Sequence, residues 1–139
     1  MRFDFYPYEG NWLPIIPVIF ACKKNRLPPI LALVDTGATH TILPMEIATE
    51  LGITIDHDDR IETQVAGGTQ CFIYPSPFMI DCLIRDPGAS MECHWRAPVF
   101  FSEGQHIVLL GHHRCLEKFD ATFYGPEKRM ELHPRFRDR

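Results

Sequence analysis

The sequence lacks the cysteine pattern of a disulfide-stabilised secreted domain. It has five cysteines, an odd number, and no pair has the Cys-x-x-Cys spacing of a redox or zinc motif. Cysteines in this arrangement are typical of reduced thiols in a reducing compartment. They are Cys22, Cys71, Cys82, Cys93 and Cys115.

The sequence also lacks a hydrophobic run long enough to span a membrane. Its apolar stretch at residues 12–22 is interrupted by Pro14 and Pro17, and it is about half as long as a membrane-spanning helix. The first ten residues contain one basic and two acidic residues, unlike the basic start of a signal peptide. The net charge of −4 gives no support for nucleic-acid binding. We therefore expect a soluble, cytoplasmic protein with no membrane or nucleic-acid partner.

Long helices are not expected either. The 12 prolines and nine glycines are spread along the sequence, and they favour short strands and turns. Helical spacing of apolar residues is limited to residues 45–51 and 112–119. At 139 residues, the chain is expected to form one mostly β domain, residues 1–139, with no internal repeat. Residues 1–12 are predicted to be an irregular N-terminal arm and residues 133–139 a C-terminal tail.

One stretch brings a single carboxylate out of the core to a tight turn. Residues 30–34 are apolar and predict a buried strand that ends at Asp35, Thr36 and Gly37. Gly37 permits a backbone angle or a close approach that a side chain would obstruct. The Thr36 hydroxyl can lock the turn or reach a neighbouring group. An Asx turn, in which Asp35 only caps a loop, explains the same residues without catalysis.

Later segments add further strands and a glycine hairpin. Residues 61–65 and 69–74 are β-prone and flank Ala66, Gly67 and Gly68, and a Gly-Gly pair in this position predicts a β-hairpin. Residues 107–110 are apolar and are followed by Gly111. Strands are also predicted at residues 13–22, 27–34, 78–84, 91–101, 121–124 and 129–132.

These motifs together resemble the retropepsin-like aspartic proteases of retroviruses and bacteria. The resemblance rests on Val-Asp-Thr-Gly-Ala at residues 34–38, the glycine hairpin, and Leu-Leu-Gly at residues 109–111. The match runs in the right order from residue 15 to residue 132. It implies an all-β acid protease fold, a closed barrel with one or two short helices. It also implies an aspartic endopeptidase that hydrolyses peptide bonds in peptide or protein substrates.

The resemblance further implies a homodimer without a cofactor or metal. Acid proteolysis needs two carboxyl groups acting on one water molecule, and only Asp35 lies in a suitable turn. A second copy of the chain would therefore supply the other Asp35 across a two-fold axis. By resemblance, Thr36 hydrogen-bonds across that axis, and Asp35, Thr36 and Gly37 form the catalytic turn. The implied substrate-binding residues are Ala38, Thr39, His40, Ala66, Gly67, Gly68 and Leu110.

Some residues depart from the retroviral pattern. Retroviral enzymes often have carboxylates at the positions of Thr39 and His40, and an arginine that supports the dimer at the position of His112. Since His112 and His113 cannot simply replace a permanently charged guanidinium, the dimer is expected to be weaker, pH-sensitive or built from other contacts.

Three alternatives follow from the residues. The chain could be a catalytically weak or inactive module that dimerises or binds peptides, because a fold does not guarantee an activity. The glycine hairpin could be a surface hairpin instead of the flap that covers the substrate. His112, His113, Cys115 and the pair Cys93 and His94 have the ligand types of a zinc site, but they lack a paired spacing.

Overall fold

The structure is a computed structural model that describes residues 1–64, 70–88 and 90–136. Strands dominate it, and its one α-helix is short. The all-β class predicted from the sequence is confirmed. Within these residues, no helix is long and apolar enough to cross a membrane.

The first half of the chain contains seven strands, the α-helix and a 3₁₀ helix. They are β1 (Arg2–Asp4), β2 (Tyr6–Tyr8), β3 (Asn11–Leu13), β4 (Ile15–Cys22), β5 (Asn25–Arg26), β6 (Ile30–Val34), β7 (Thr41–Pro44), α1 (Met45–Glu50) and a 3₁₀ helix at His57–Asp59. The helix predicted at residues 45–51 is therefore confirmed. The prediction of an irregular arm at residues 1–12 is wrong, because β1 pairs with a strand near the other end of the chain.

The second half contains eight strands and one 3₁₀ helix. They are β8 (Ile61–Gln64), β9 (Gln70–Pro75), β10 (Ile80–Arg85), β11 (Glu92–Ala97), β12 (Val99–Ser102), β13 (Val108–Leu110), the 3₁₀ helix Leu116–Lys118, β14 (Phe119–Tyr124) and β15 (Arg129–Pro134). The helix predicted at residues 112–119 is wrong in extent. Arg114 has a left-handed φ of 51°, which an α-helix does not allow, so only one 3₁₀ turn forms.

The strands form one large mixed sheet and two small sheets. The large sheet has the order β11-β10-β4-β6-β13-β7-β12-β9-β8, with β5 paired to β4. The small sheets have the orders β1-β15-β14 and β2-β3. In the part of the chain that the structure describes, no pairing joins β11 to β8. The sheet is therefore an open series of strands there, and the expected closed barrel is not seen.

A single hydrophobic core holds the large sheet against the β1-β15-β14 sheet. Alternate residues of β11 enter it, namely Cys93, Trp95 and Ala97, as expected for a strand with one buried face. Met130 and Leu132 of β15 are almost completely buried in the same cluster. Burying a large apolar side chain contributes about 1.5–3 kcal/mol, so the pairing of the two chain ends is supported by packing as well as hydrogen bonds.

Candidate active site

Asp35 lies in the turn between β6 and β7, and three backbone hydrogen bonds define the shape of that turn. The Asp35 N–H donates to the Leu110 carbonyl at 3.1 Å, and the Ala38 N–H donates to the Asp35 carbonyl at 3.1 Å. The Gly37 N–H donates to Asp35 Oδ1 at 3.0 Å. Asp35 is half-buried. The turn therefore holds one carboxylate in a fixed orientation and in partial contact with solvent.

Strand β13 supports the turn, because it lies between β6 and β7, the two strands that the turn connects. Leu110 pairs with Val34 of β6 in parallel, and Leu109 pairs with Ile42 of β7 in antiparallel orientation. Leu110 is only 1% exposed. Its side chain packs in the core beneath the turn, and the role of Leu110 in substrate binding stays a prediction.

Gly111 continues this support at a point where no side chain fits. A Cβ atom there would collide with the backbone carbonyl of His40 and lie 2.8 Å from the His40 nitrogen. The Gly111 N–H donates to Thr41 Oγ1 at 3.1 Å, and Thr41 is fully buried. The Leu-Leu-Gly motif thus lets two segments far apart in sequence come into direct backbone contact.

The two histidines after Gly111 complete the contact with the turn. The N–H of His112 donates to the Ala38 carbonyl at 3.0 Å, and the N–H of His113 donates to the Thr39 carbonyl at 2.7 Å. In addition, the His112 ring Nε2 lies 2.7 Å from the Thr36 carbonyl oxygen. Sequence analysis interpreted His112 as a replacement for an arginine at a dimer contact, or as a possible zinc ligand. Its contact with the Asp35–Gly37 turn of its own chain was not predicted.

Residues 35–40, which include the predicted catalytic residues and three predicted substrate-binding residues, form the loop between β6 and β7. Thr36, Gly37 and Thr39 are exposed, whereas Ala38 and His40 are half-buried. The His40 ring centroid lies 4.8 Å from that of Phe100 and 5.8 Å from that of His113. Burial, and next the charge of His113, lower the pKa of His40 below its usual value. His40 is thus less readily protonated than a histidine in water.

The predicted glycine hairpin is present as the antiparallel pair β8 and β9. Its last described pairing joins Gln64 to Gln70. Its tip, including Ala66, Gly67 and Gly68, lies outside the described residues. Two large apolar side chains of the hairpin are partly exposed, Ile61 at 46% and Phe72 at 42%. Its role as a flap stays a prediction.

Metal and thiol chemistry receive little support from the site. In the described ranges, no group of three or more histidine, cysteine or acidic side chains is arranged to hold a metal ion. Cys115 follows His112 by three residues but is almost completely buried. Burial raises the pKa of its thiol to about 11, despite the lowering effect of its hydrogen bond with Thr41. At neutral pH it is therefore a protonated thiol and a poor nucleophile.

Comparison with protein-family models finds a match for the segment of the chain that contains the Asp35–Gly37 turn. The family model described as gag-polyprotein putative aspartyl protease matches residues 21–81. These residues include Asp35, Thr36 and Gly37 and the strands of the glycine hairpin, and they make up less than half of the chain. No curated protein matches the sequence.

Comparison with solved structures covers nearly the whole chain. A retropepsin-like aspartic protease from Rickettsia conorii is 19% identical, with a TM-score of 0.56 over 94% of this chain and 97% of that chain. The retroviral protease-like domain of Ddi1 from Leishmania major is 15% identical, with a TM-score of 0.51 over 88% of this chain and 95% of that chain. At these identities, the likenesses show the fold alone.

Proposed function

The chain has the retropepsin-like aspartic protease fold, and its resemblance to that family is confirmed; from this premise we propose that it is an aspartic endopeptidase. In this proposal, two copies of the chain form a homodimer, and each copy gives one Asp35 to a shared pair of carboxyl groups. The pair activates a water molecule that hydrolyses a peptide bond in a peptide or protein substrate.

The observation that carries this proposal is the placement of Asp35. Strand β6, in which Ala32 and Val34 are buried, ends at the Asp35 carboxylate. Strand β13 passes beneath it, and the Gly37 N–H orients one of its oxygens. A fixed carboxylate in partial contact with solvent is suited to accept a proton from a bound water molecule. Rigid strands on both sides of the turn keep it in position, as a catalytic group requires.

The need for a second chain follows from the chemistry of that carboxylate. In aspartic proteases, two carboxyl groups about 3 Å apart share one proton, so that one acts as a base and the other as an acid. In the described residues, the Asp35 side chain hydrogen-bonds only to the Gly37 N–H, and no second carboxyl group hydrogen-bonds to it. We therefore assign the second carboxyl group to Asp35 of another copy.

The β1-β15-β14 sheet offers a surface for that dimer. β14 forms one edge of this sheet, and residues 120–123 of β14 are all exposed. Within the described residues, no strand pairs with its outer edge. An exposed edge of this length readily accepts a strand from another chain. Antiparallel pairing of β14 with its own copy would create a two-fold axis.

The test is cleavage of a peptide library between about pH 3 and pH 7 by the intact chain and by Asp35→Asn. The variant should lose about a thousandfold in rate, as expected when an acid–base group is removed. It should keep its fold, because the asparagine Oδ1 can still accept the Gly37 N–H. The wild-type rate should fall towards neutral pH as both carboxyl groups ionise.

Asp86 provides a matched control for this substitution. It is half-buried like Asp35, and its Oδ1 accepts the Gly88 N–H at 3.1 Å in a similar local turn. Asp86→Asn removes the same charge from the same kind of hydrogen bond and should leave the cleavage rate unchanged. Equal losses in both variants, or full activity in Asp35→Asn, would contradict the proposed mechanism.

The similarity of these two turns also favours the second candidate function, an inactive module that dimerises or binds peptides. The Asp35–Gly37 hydrogen bond alone is an ordinary Asx turn, because Asp86 makes it in a hairpin loop of the same chain. If the wild type binds extended peptides but cleaves none across the pH range, this second function replaces the first.

A further inference from the structure

Apart from Asp35 itself, the His112 ring is the one side chain of the described residues that hydrogen-bonds to the backbone within the Asp35–Gly37 turn. Its Nε2 lies 2.7 Å from the Thr36 carbonyl oxygen. A carbonyl oxygen only accepts hydrogen bonds, so Nε2 must carry the proton and donate it. We propose that His112 is a positioning residue for the Asp35 carboxylate and acts through the peptide group between Thr36 and Gly37.

The geometry of a single peptide group explains how the effect reaches Asp35. The Thr36 C=O and the Gly37 N–H belong to the same planar trans peptide group, so they point in opposite directions. The His112 ring holds the oxygen end, and the hydrogen end donates to Asp35 Oδ1 at 3.0 Å. Fixing the oxygen therefore fixes the direction of the N–H that orients the carboxylate.

The two hydrogen bonds also strengthen each other. A donor at the carbonyl oxygen polarises the peptide group and makes its N–H a better donor. The order of donation is His112 Nε2–H to the Thr36 carbonyl, and then the Gly37 N–H to Asp35 Oδ1. Loss of the ring should both loosen the turn and weaken the hydrogen bond that Asp35 receives.

The backbone N–H of His112 makes a separate hydrogen bond, which a substitution of the side chain preserves. Its N–H donates to the Ala38 carbonyl at 3.0 Å, and this bond does not depend on the side chain. His113 makes the equivalent backbone bond to Thr39 at 2.7 Å, but its ring faces the His40 ring instead of the turn. His113 is therefore a matched control, with the same backbone role and without the ring contact.

Glutamine and asparagine at residue 112 distinguish a hydrogen-bond role from a role in packing. The glutamine side-chain amide nitrogen is about as far from the backbone as the histidine Nε2, whereas that of asparagine is closer, near the position of Nδ1. His112→Gln should therefore restore the bond to Thr36, whereas His112→Asn should behave like His112→Ala.

The experiment measures kcat and KM for peptide hydrolysis, and hydrogen exchange of the Gly37 amide by NMR, in the full chain. We expect His112→Ala to lower kcat by about 10- to 100-fold, the range for a slightly displaced catalytic group. KM should change by less than about twofold, because the ring does not bind substrate. The Gly37 amide should exchange about tenfold faster, since the turn opens more often. His112→Gln should recover most of the kcat and of the wild-type exchange rate, and His113→Ala should leave the exchange rate of the Gly37 amide unchanged.

The proposal fails if His112→Ala leaves the exchange rate of Gly37 unchanged, or if His112→Gln is no better than His112→Asn. The activity readout rests on the proposed function, but the exchange readout does not. If the wild-type chain cleaves no peptide, the proposed function is wrong. The exchange rate of the Gly37 amide would still test the role of His112.

A measurement on the wild-type chain tests the role of His112 a second time, without any substitution. Ring nitrogen chemical shifts of neutral His112 should show the proton on Nε2, because only that tautomer donates to Thr36. A proton on Nδ1 would overturn the proposal, whatever the variants show.

Discussion

At Gly111, a single added methyl group would test the contact between the end of β13 and the loop that carries Asp35. A Cβ atom there collides with the His40 backbone, which cannot rotate away as a side chain could. Gly111→Ala should therefore destabilise the fold by about 1–3 kcal/mol, the usual range for overpacking in a core. Urea unfolding measures the change. Gly125→Ala is the control, because its Cβ would meet no atom within 4 Å, and an equal loss there would contradict the steric argument.

A second prediction for a single residue concerns His40 and the way in which the free energy of unfolding depends on pH. Burial and the neighbouring His113 lower the pKa of His40 in the folded chain. Below a pH of about 6.5 the unfolded chain therefore binds this proton more readily than the folded chain does, so folding loses stability as the pH falls. His40→Gln removes the effect, and its stability relative to wild type should rise as the pH falls below about 6.5.

Free energies of unfolding at several pH values measure this difference for His40→Gln. The exposed His94, substituted in the same way, controls for the general effect of removing a histidine. A difference between His40→Gln and wild type that stays constant with pH would contradict the assigned cause of the pKa shift.

Among the secondary-structure elements, the β8–β9 hairpin carries the prediction of a flap. A flap must open and close over an extended peptide, and glycines such as Gly67 and Gly68, which the sequence has between β8 and β9, permit the backbone angles that this motion needs. Replacing both glycines by valine should lower the cleavage rate by about tenfold or more. The melting temperature should change little. Peptide turnover and thermal unfolding, measured on the same samples, test this prediction.

The control for the flap is a glycine in a different hairpin loop. Gly88 lies between β10 and β11, and among the described residues an added Cβ there would touch only the Asp86 side chain, at 4.0 Å. Gly88→Val should leave turnover unchanged. If the tip variant also keeps its full rate, the hairpin is a surface feature and not a flap.

The elements that the sequence predicted correctly are those whose signals are local. An apolar run ending in Asp-Thr-Gly predicts β6 and its turn, and Pro44 with Gly52 delimits α1. The errors arose where distant contacts decide the structure. β1 forms because Phe3 pairs with Met130 at the other end of the chain, which no local pattern indicates. At Arg114, a left-handed backbone ends a helical pattern that the spacing of apolar residues favours.

The distinction between local sequence signals and distant contacts also applies to the candidate site. Asp35, Thr36 and Gly37 could be predicted because the residues before and after them show the turn. The His112 contact could not, because β13 brings the ring to a residue 76 positions away. The adjacency of a polar ring to Leu-Leu-Gly was the available signal, and it pointed to a dimer contact only by analogy. The burial of Leu110 could not be predicted for the same reason, since it depends on the pairing of β13 with β6.

For the whole molecule, the decisive question is whether two chains share one active site, and mixing experiments answer it. If Asp35 acts in a pair across a two-fold axis, an Asp35→Asn chain inactivates any wild-type chain that it joins. Equal amounts of both chains with free exchange leave about a quarter of the dimers fully wild type. Activity per wild-type chain should then fall to about half, by the same pairing statistics. Sedimentation of differently sized chains shows whether mixed dimers form.

The control mixture replaces Asp35→Asn by Asp86→Asn, which has the same charge change in a turn away from the proposed pair. Every dimer in this mixture keeps two Asp35 residues, so the activity per total chain should stay at the wild-type value. A loss seen only with Asp35→Asn is then not an effect of mixing itself. A monomer that holds a complete site would show no loss in either mixture. Undiminished activity, together with mixed dimers seen in sedimentation, would rule out a shared carboxyl pair, because each wild-type chain would then work beside a partner that lacks the second acid.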